Sequence, residues 1–308
     1  MRAVVFEGTA ELEAARGDLH LHYDCLGAAS APLVILVGGI GQQIGDVELC
    51  DELAEHFAKA GLRVARMDNR DAGLSSSFDH AGRPDFDALL TALFAGEPAP
   101  VPYSFLDMAD DILRVADAIG DRDVHVVGAS MGSWIARWAA LRDPLRVRSL
   151  TVVMGPSGAI PGDDGPQMAM EDIDDLIAMA APRARDDHIA YTVELWRADW
   201  GTSFPFDEAW VRERAAASYD RSYRPDGLYR QMTAGFATPS IWDAQRTIAC
   251  PTLVMHGADD PFFPFVHGEA TAAQIPHATL WRVDGMGHTM HRELWGEMAE
   301  RVAELASR

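Results

Sequence analysis

Val124-His125-Val126-Val127-Gly128-Ala129-Ser130-Met131-Gly132 is the stretch on which the reading of this chain turns. A short β-branched, apolar run ends in a glycine-flanked serine, and Met131 to Leu141 continues with helical spacing. A buried strand that runs straight into a helix has to reverse in very little space. Glycines two before and two after the serine relieve the crowding there and leave the hydroxyl exposed at the sheet edge. Taken alone the G-x-S-x-G pattern is weak, since a serine in that place also serves as an ordinary helix cap. The strand before it and the helix after it make Ser130 a candidate nucleophile.

Outward from this turn, short apolar runs alternate with longer helix-patterned stretches, as in a mostly parallel sheet covered on both faces. Leu33–Val37 (LVILV) reads as a buried strand that ends at Gly38-Gly39. Helical spacing over Val47–Lys59 follows, then a strand over Leu62–Met67, a helix over Phe105–Ile119 stopped by Gly120, and a strand over Leu150–Val153. The rhythm returns late, with strands over Thr252–Met255 and Thr279–Val283 and helices over Val266–Ala273 and His291–Ala306. Between them lies a helix-like stretch rich in large apolar side chains, among them Trp196, Trp200, Phe204, Phe206, Trp210 and Trp242. The expectation is an α/β core in two parts, 1–155 and 246–308, interrupted by a mainly helical cap over 156–245. Most of the cap aromatics read as its own packing, with the remainder free to roof the serine. Asp79–Pro102 reads as a loose excursion.

A serine hydroxyl attacks well only when a base takes its proton. Of the 11 histidines, His288 stands out, in a Gly285-Met286-Gly287-His288 turn just past the last predicted strand. His256 and His291 are the competitors. The base needs an acid to set its tautomer, and Asp259 and Asp260 both follow the Thr252–Met255 strand. One amide for a developing oxyanion belongs to Met131, at a helix N-terminus. The other falls in the turn after LVILV, at Gly39 or Ile40.

Four segments together resemble the α/β-hydrolase fold superfamily, nearest to serine esterases of the aclacinomycin methylesterase type. Asp68-Asn69-Arg70-Asp71-Ala72-Gly73-Leu74-Ser75 is similar to that family's D-x-R-x-x-G-x-S turn. Gly128–Gly132 is similar to its nucleophile elbow, Gly257–Pro264 to its G-x-x-D-x-x-x-P turn, and Gly285–His288 to its G-x-G-H turn. Counting from Gly257, the resemblance selects Asp260 over Asp259 as the acid. It implies a cofactor-free, metal-free serine hydrolase with a Ser130–His288–Asp260 triad. The substrate it implies is a fairly apolar small ester or lactone. Perhydrolysis on the same fold and a non-catalytic small-ligand binder are the rival readings. Val37-Gly38-Gly39 departs from the family's His-Gly-x pattern in the oxyanion turn.

Composition narrows the field further. The net charge of −21 suits neither nucleic acid nor an anionic membrane surface, because phosphate binding needs clustered cations. Three widely spaced cysteines, without a C-x-x-C pair, argue against a disulfide framework or a thiolate metal site. Acidic residues soon after Arg2 argue against a secretory leader. No apolar run approaches the ~20 residues of a membrane span. A cytoplasmic protein is expected, and a homo-oligomer is compatible with the chain.

Overall fold

The computed structural model describes residues 5–14 and 17–308. Arg2 and the first residues of the expected core, and residues 15 and 16, lie outside them. A hairpin of β1 (Val5–Ala14) and β2 (Gly17–Leu26) comes first, followed by β3 (Leu33–Val37), α1 (Asp51–Lys59) and β4 (Arg63–Met67). Then come α2 (Phe86–Ala95), α3 (Phe105–Ile119), β5 (Val124–Ala129), α4 (Met131–Arg142) and β6 (Val147–Val153). Four helices intervene: α5 (Met170–Met179), α6 (Arg185–Asp199), α7 (Glu208–Arg221) and α8 (Pro225–Phe236). The chain closes with β7 (Thr252–Gly257), α9 (Val266–Gln274), β8 (Thr279–Val283) and α10 (Trp295–Ala306).

The strands form one sheet in the order β1-β2-β4-β3-β5-β6-β7-β8. Pairing is antiparallel from β1 through β2 to β4 and parallel across the rest. Two cores explain why the central strands are apolar without a break. Successive side chains of a strand point to opposite faces. Leu33, Ile35 and Val37 therefore join Val126 and the α3–α4 side chains Ile112 and Ile135. Val34 and Leu36 join Val127, Leu53 and Phe57 of α1, and Val302 of α10.

Several boundaries differ from the sequence reading. The helix expected over Val47–Lys59 divides, because a 3-10 turn over Val47–Leu49 ends at an extended Cys50 before α1 begins. The excursion Asp79–Pro102 carries α2, capped by the Asp85 carboxylate, which accepts the Ala88 amide at 3.0 Å. The last helix starts at Trp295 after a 3-10 turn over Arg292–Leu294, not at His291. The β1–β2 hairpin had no counterpart in the sequence reading. Cys25, Cys50 and Cys250 are free thiols. Among the described residues, no helix is long and apolar enough to cross a membrane.

Helices α5 to α8 leave the sheet after β6 and return to it at β7. Arg230 of α8 forks onto both oxygens of Asp71 at 2.8 and 2.9 Å, and Arg221 of α7 reaches Asp68 at 2.7 Å. Both aspartates belong to the Asp68–Ser75 turn after β4. That turn has its own logic: Asp68 accepts the Ile44 and Leu74 amides, each at 2.8 Å. A β-carbon on Gly73 would sit 2.2 Å from the Asp68 carboxyl. Trp196 and Trp200 of the inserted segment pack around Val47 and Val211.

Candidate active site

Ser130 stands between β5 and α4 with φ 52° and ψ −121°, a conformation that a side-chain-bearing residue adopts only under constraint. The constraint is steric. A β-carbon on Gly128 would lie 2.2 Å from the Gly132 carbonyl oxygen, and one on Gly132 would lie 2.2 Å from the Val37 carbonyl oxygen. The two glycines thus allow β5, α4 and the end of β3 to meet at one point. The Ser133 hydroxyl donates to the Ser130 carbonyl at 2.7 Å and ties down the first helical turn.

The turns after β7 and β8 converge on that serine. A β-carbon on Gly257 would lie 2.2 Å from the Met286 carbonyl oxygen, so backbone runs against backbone between the two turns. His288 Nε2 is 3.0 Å from Ser130 Oγ, and His288 Nδ1 is 2.9 Å from Asp260 Oδ2. The other Asp260 oxygen accepts the Phe262 and Phe263 amides at 3.0 and 2.9 Å. Asp259 is exposed and takes the Thr202 hydroxyl instead. The competing histidines are engaged elsewhere. His256 Nε2 meets the Phe263 carbonyl at 2.7 Å, with Asp260 at 3.5 Å. His291 stacks on Phe204, with ring centroids 4.0 Å apart.

Met131 opens α4 beside Ser130, where the helix dipole favours negative charge. Across from it, a β-carbon on Gly39 would lie 3.3 Å from Ser130 Cβ and 3.3 Å from Glu48 Oε2. Gly39 is therefore set close to the serine. Beyond Ile40, the Gly41 amide donates to Gln231 Oε1 at 2.8 Å, and Gln231 Nε2 donates to the Arg70 carbonyl at 2.8 Å.

A family model described as alpha/beta hydrolase fold matches residues 32–293. The chain belongs to this family. Rhodomycin D methylesterase DauP of Streptomyces sp. (strain C5) is 29% identical over 279 residues, covering 85% of this chain and 86% of its own. Rhodomycin D methylesterase DnrP of Streptomyces peucetius is 28% identical over 280 residues, 85% of this chain and 86% of its own. Among solved structures, the esterase EaEST from Exiguobacterium antarcticum has a TM-score of 0.73 at 19% identity, covering 98% of this chain and 100% of that one. The enol-lactonase from Burkholderia xenovorans LB400 has a TM-score of 0.69 at 17% identity, covering 97% and 100%. At such identities the two structures speak to the fold alone.

In this α/β hydrolase, carboxyl groups crowd the histidine. Burial by itself would lower the His288 imidazolium, but Asp260, then Asp199 and Glu48, outweigh it and lift His288 to about 9. Burial raises Glu48 to about 7, against the pull of His288 and the Gly39 amide. Burial likewise raises Asp199 to about 6, opposed by His288. The His288 amide donates to the Asp199 carbonyl at 2.6 Å, so the end of α6 holds the histidine turn. Sequence reading missed Glu48, Asp199 and Gln231. Glu48 left a trace, as a carboxyl inside the otherwise apolar Val47-Glu48-Leu49-Cys50. Asp199 and Gln231 lie in the inserted helices, where no short pattern marks them.

Proposed function

We propose that this chain is a carboxylic ester hydrolase that works through an acyl-enzyme on Ser130. Ser130 Oγ attacks the ester carbonyl while His288 Nε2 takes its proton, and Asp260 holds the imidazole and stabilises its cation. The amides of Met131 and Gly39 receive the developing oxyanion. His288 then returns the proton to the departing alcohol, and a water activated by the same nitrogen releases the acid. The observation that carries this reading is the unbroken relay from Ser130 through His288 to Asp260, at 3.0 and 2.9 Å, behind a strained nucleophile.

The substrate is a fairly apolar small ester or lactone, roofed by residues 156–245 acting as a cap. Phe262 and Phe263, whose rings lie 5.2 and 5.5 Å from the His288 ring, add apolar wall beside the reacting atoms. Similarity to methylesterases over most of the chain makes methyl esters the first substrates to try. The test is p-nitrophenyl butyrate turnover and intact-mass labelling by an organophosphonate, in wild type and Ser130→Ala. Turnover and adduct both lost in the variant would support the reading, whereas full turnover in Ser130→Ala would sink it.

A further inference from the structure

The last pair of β7 with β8 joins Gly257 to Val283, so the ladder stops before His288 is reached. Beyond it, the histidine turn is held from the inserted segment. The Gly287 amide donates to the Trp200 carbonyl at 3.3 Å, and the His288 amide donates to the Asp199 carbonyl at 2.6 Å. In return, the Gly285 carbonyl accepts the Thr202 and Ser203 amides at 2.9 and 3.2 Å, and Gly201 bridges Met286 in antiparallel fashion. The connection between α6 and α7 therefore lies along the turn as a short extra strand.

The same connection reaches two more points. The Thr202 hydroxyl donates to the Asp259 carboxylate, in the turn that carries Asp260. Past His288, the His291 ring stacks on Phe204 at 4.0 Å and meets the Trp200 ring edge-on at 5.0 Å. Resting on the reading of Ser130, His288 and Asp260 as the reacting groups, we propose that residues 199–204 are a positioning strap. Gly201 and Thr202 clamp the His288 turn against the Asp260 turn, and through them the inserted helices set the acid–base pair.

His288 has to face Ser130 and Asp260 at once, at 3.0 and 2.9 Å, and a small error in either direction costs rate steeply. Directly, the two turns share the Asp259 amide on the Met286 carbonyl at 3.0 Å. That bond precedes the histidine and does not by itself fix the residues after it. The strap takes hold on both sides of the bond, first at Gly285, then at Gly287 and His288. Gly201 lets it come so close. Its φ is 88°, and a β-carbon there would lie 2.4 Å from the Gly285 carbonyl oxygen and 2.4 Å from the Gly287 nitrogen.

The experiment measures kcat and KM for p-nitrophenyl butyrate, with folding followed by circular dichroism and Ser130→Ala as the background. Gly201→Ala should prise the strap from the turn and lower kcat about 30-fold, with KM changed less than about threefold. Thr202→Val removes only an exposed hydroxyl and should lower kcat about threefold, while Thr202→Ser should restore it. In an Asp260→Asn background the cost of Gly201→Ala should shrink to less than about threefold, because the pairing that the strap protects is then already lost. A role in stability alone would leave kcat of the folded enzyme unchanged in every variant.

Three results overturn the proposal: a folded Gly201→Ala or Thr202→Val with wild-type kcat, a loss confined to KM, or an undiminished cost of Gly201→Ala beside Asp260→Asn. If Gly201→Ala does not fold, Thr202→Val and Thr202→Ser decide by kcat. Any of these results with Ser130→Ala inactive leaves the hydrolase reading standing. Turnover retained in Ser130→Ala ends both.

Discussion

The turns after β5, β7 and β8 carry the Ser130 site, and the inserted helices α6 and α8 reach the turns around it, but the two are held in different ways. The turns are backbone against backbone: Gly128 on Gly132, Gly132 on Val37, Gly257 on Met286. The helices are tied partly by backbone, as where the His288 amide meets the Asp199 carbonyl, and largely by long side chains to partners far away in the sequence. Arg230 pairs with Asp71 across 159 positions, and Gln231 holds Gly41 across 190. A turn that depends on missing β-carbons leaves glycines at set spacing, and so shows in a few residues of sequence. A pairing of Arg230 with Asp71 leaves no local mark.

The sharpest break is at the reacting atoms, on the side of the turns. Ser130→Ala or His288→Ala should each lower kcat/KM by roughly 10⁴-fold or more, read by ester hydrolysis with the fold checked by circular dichroism. Asp260→Asn should cost on the order of 10³-fold, and Asp259→Asn less than about tenfold, since the exposed Asp259 carboxylate meets the Thr202 hydroxyl rather than His288. If Asp259→Asn proves the more damaging, the acid is misassigned.

On the side of the helices, the first effect is on stability. Arg230→Ala strands the buried Asp71 carboxylate and should cost about 3–5 kcal/mol in urea unfolding. A loss below about 1 kcal/mol would mean that the inserted helices are held chiefly by packing. Gln231→Leu sharpens the comparison, because it frees the Gly41 amide while leaving the relay intact. A loss of about tenfold in kcat with KM little changed is expected, the mark of a group that positions the oxyanion loop. A change confined to KM would assign Gln231 to substrate binding instead.

The smallest effect is a drift of stability with pH. His288 is raised from 6.5 to about 9, so the native state holds a proton that the unfolded chain has lost. Its contribution is complete below 6.5 and disappears as pH rises to 9. Glu48, raised from 4.5 to about 7, runs in the same sense and is spent by pH 7. His267 and His291, lowered by burial to about 4, run oppositely, but only between about 4 and 6.5. Unfolding free energy should therefore fall between pH 6.5 and 9, by on the order of 2 kcal/mol. A rise over that window would contradict the charge balance drawn around His288.

Much of the core was legible because its rules are local. LVILV over Leu33–Val37 is unbroken since both of its faces are covered, and Gly120 marks the end of α3 with φ 90°. Helix α2 escaped the sequence reading because its apolar residues do not keep to one face. Leu89 is fully buried, while Phe94, in the same helix, is 85% exposed. Val47–Lys59 divides at Cys50, whose extended backbone (φ −74°, ψ 163°) interrupts the helical run.

By itself, the sequence determined the parallel core, the place of the serine turn, and His288 and Asp260 as its companions. Most of this depends on strand periodicity and glycine spacing, which few neighbouring residues suffice to define, whereas Asp260 was chosen over Asp259 through the resemblance of Gly257–Pro264 to the family's turn. Only the tertiary structure decided that Gly39 comes close to both Ser130 and the buried Glu48, and that α6 and α8 brace the turns carrying His288 and Gly41. Those relations join groups from separate elements, and their energies arise from burial and proximity that exist only once the sheet and the inserted helices have closed on each other.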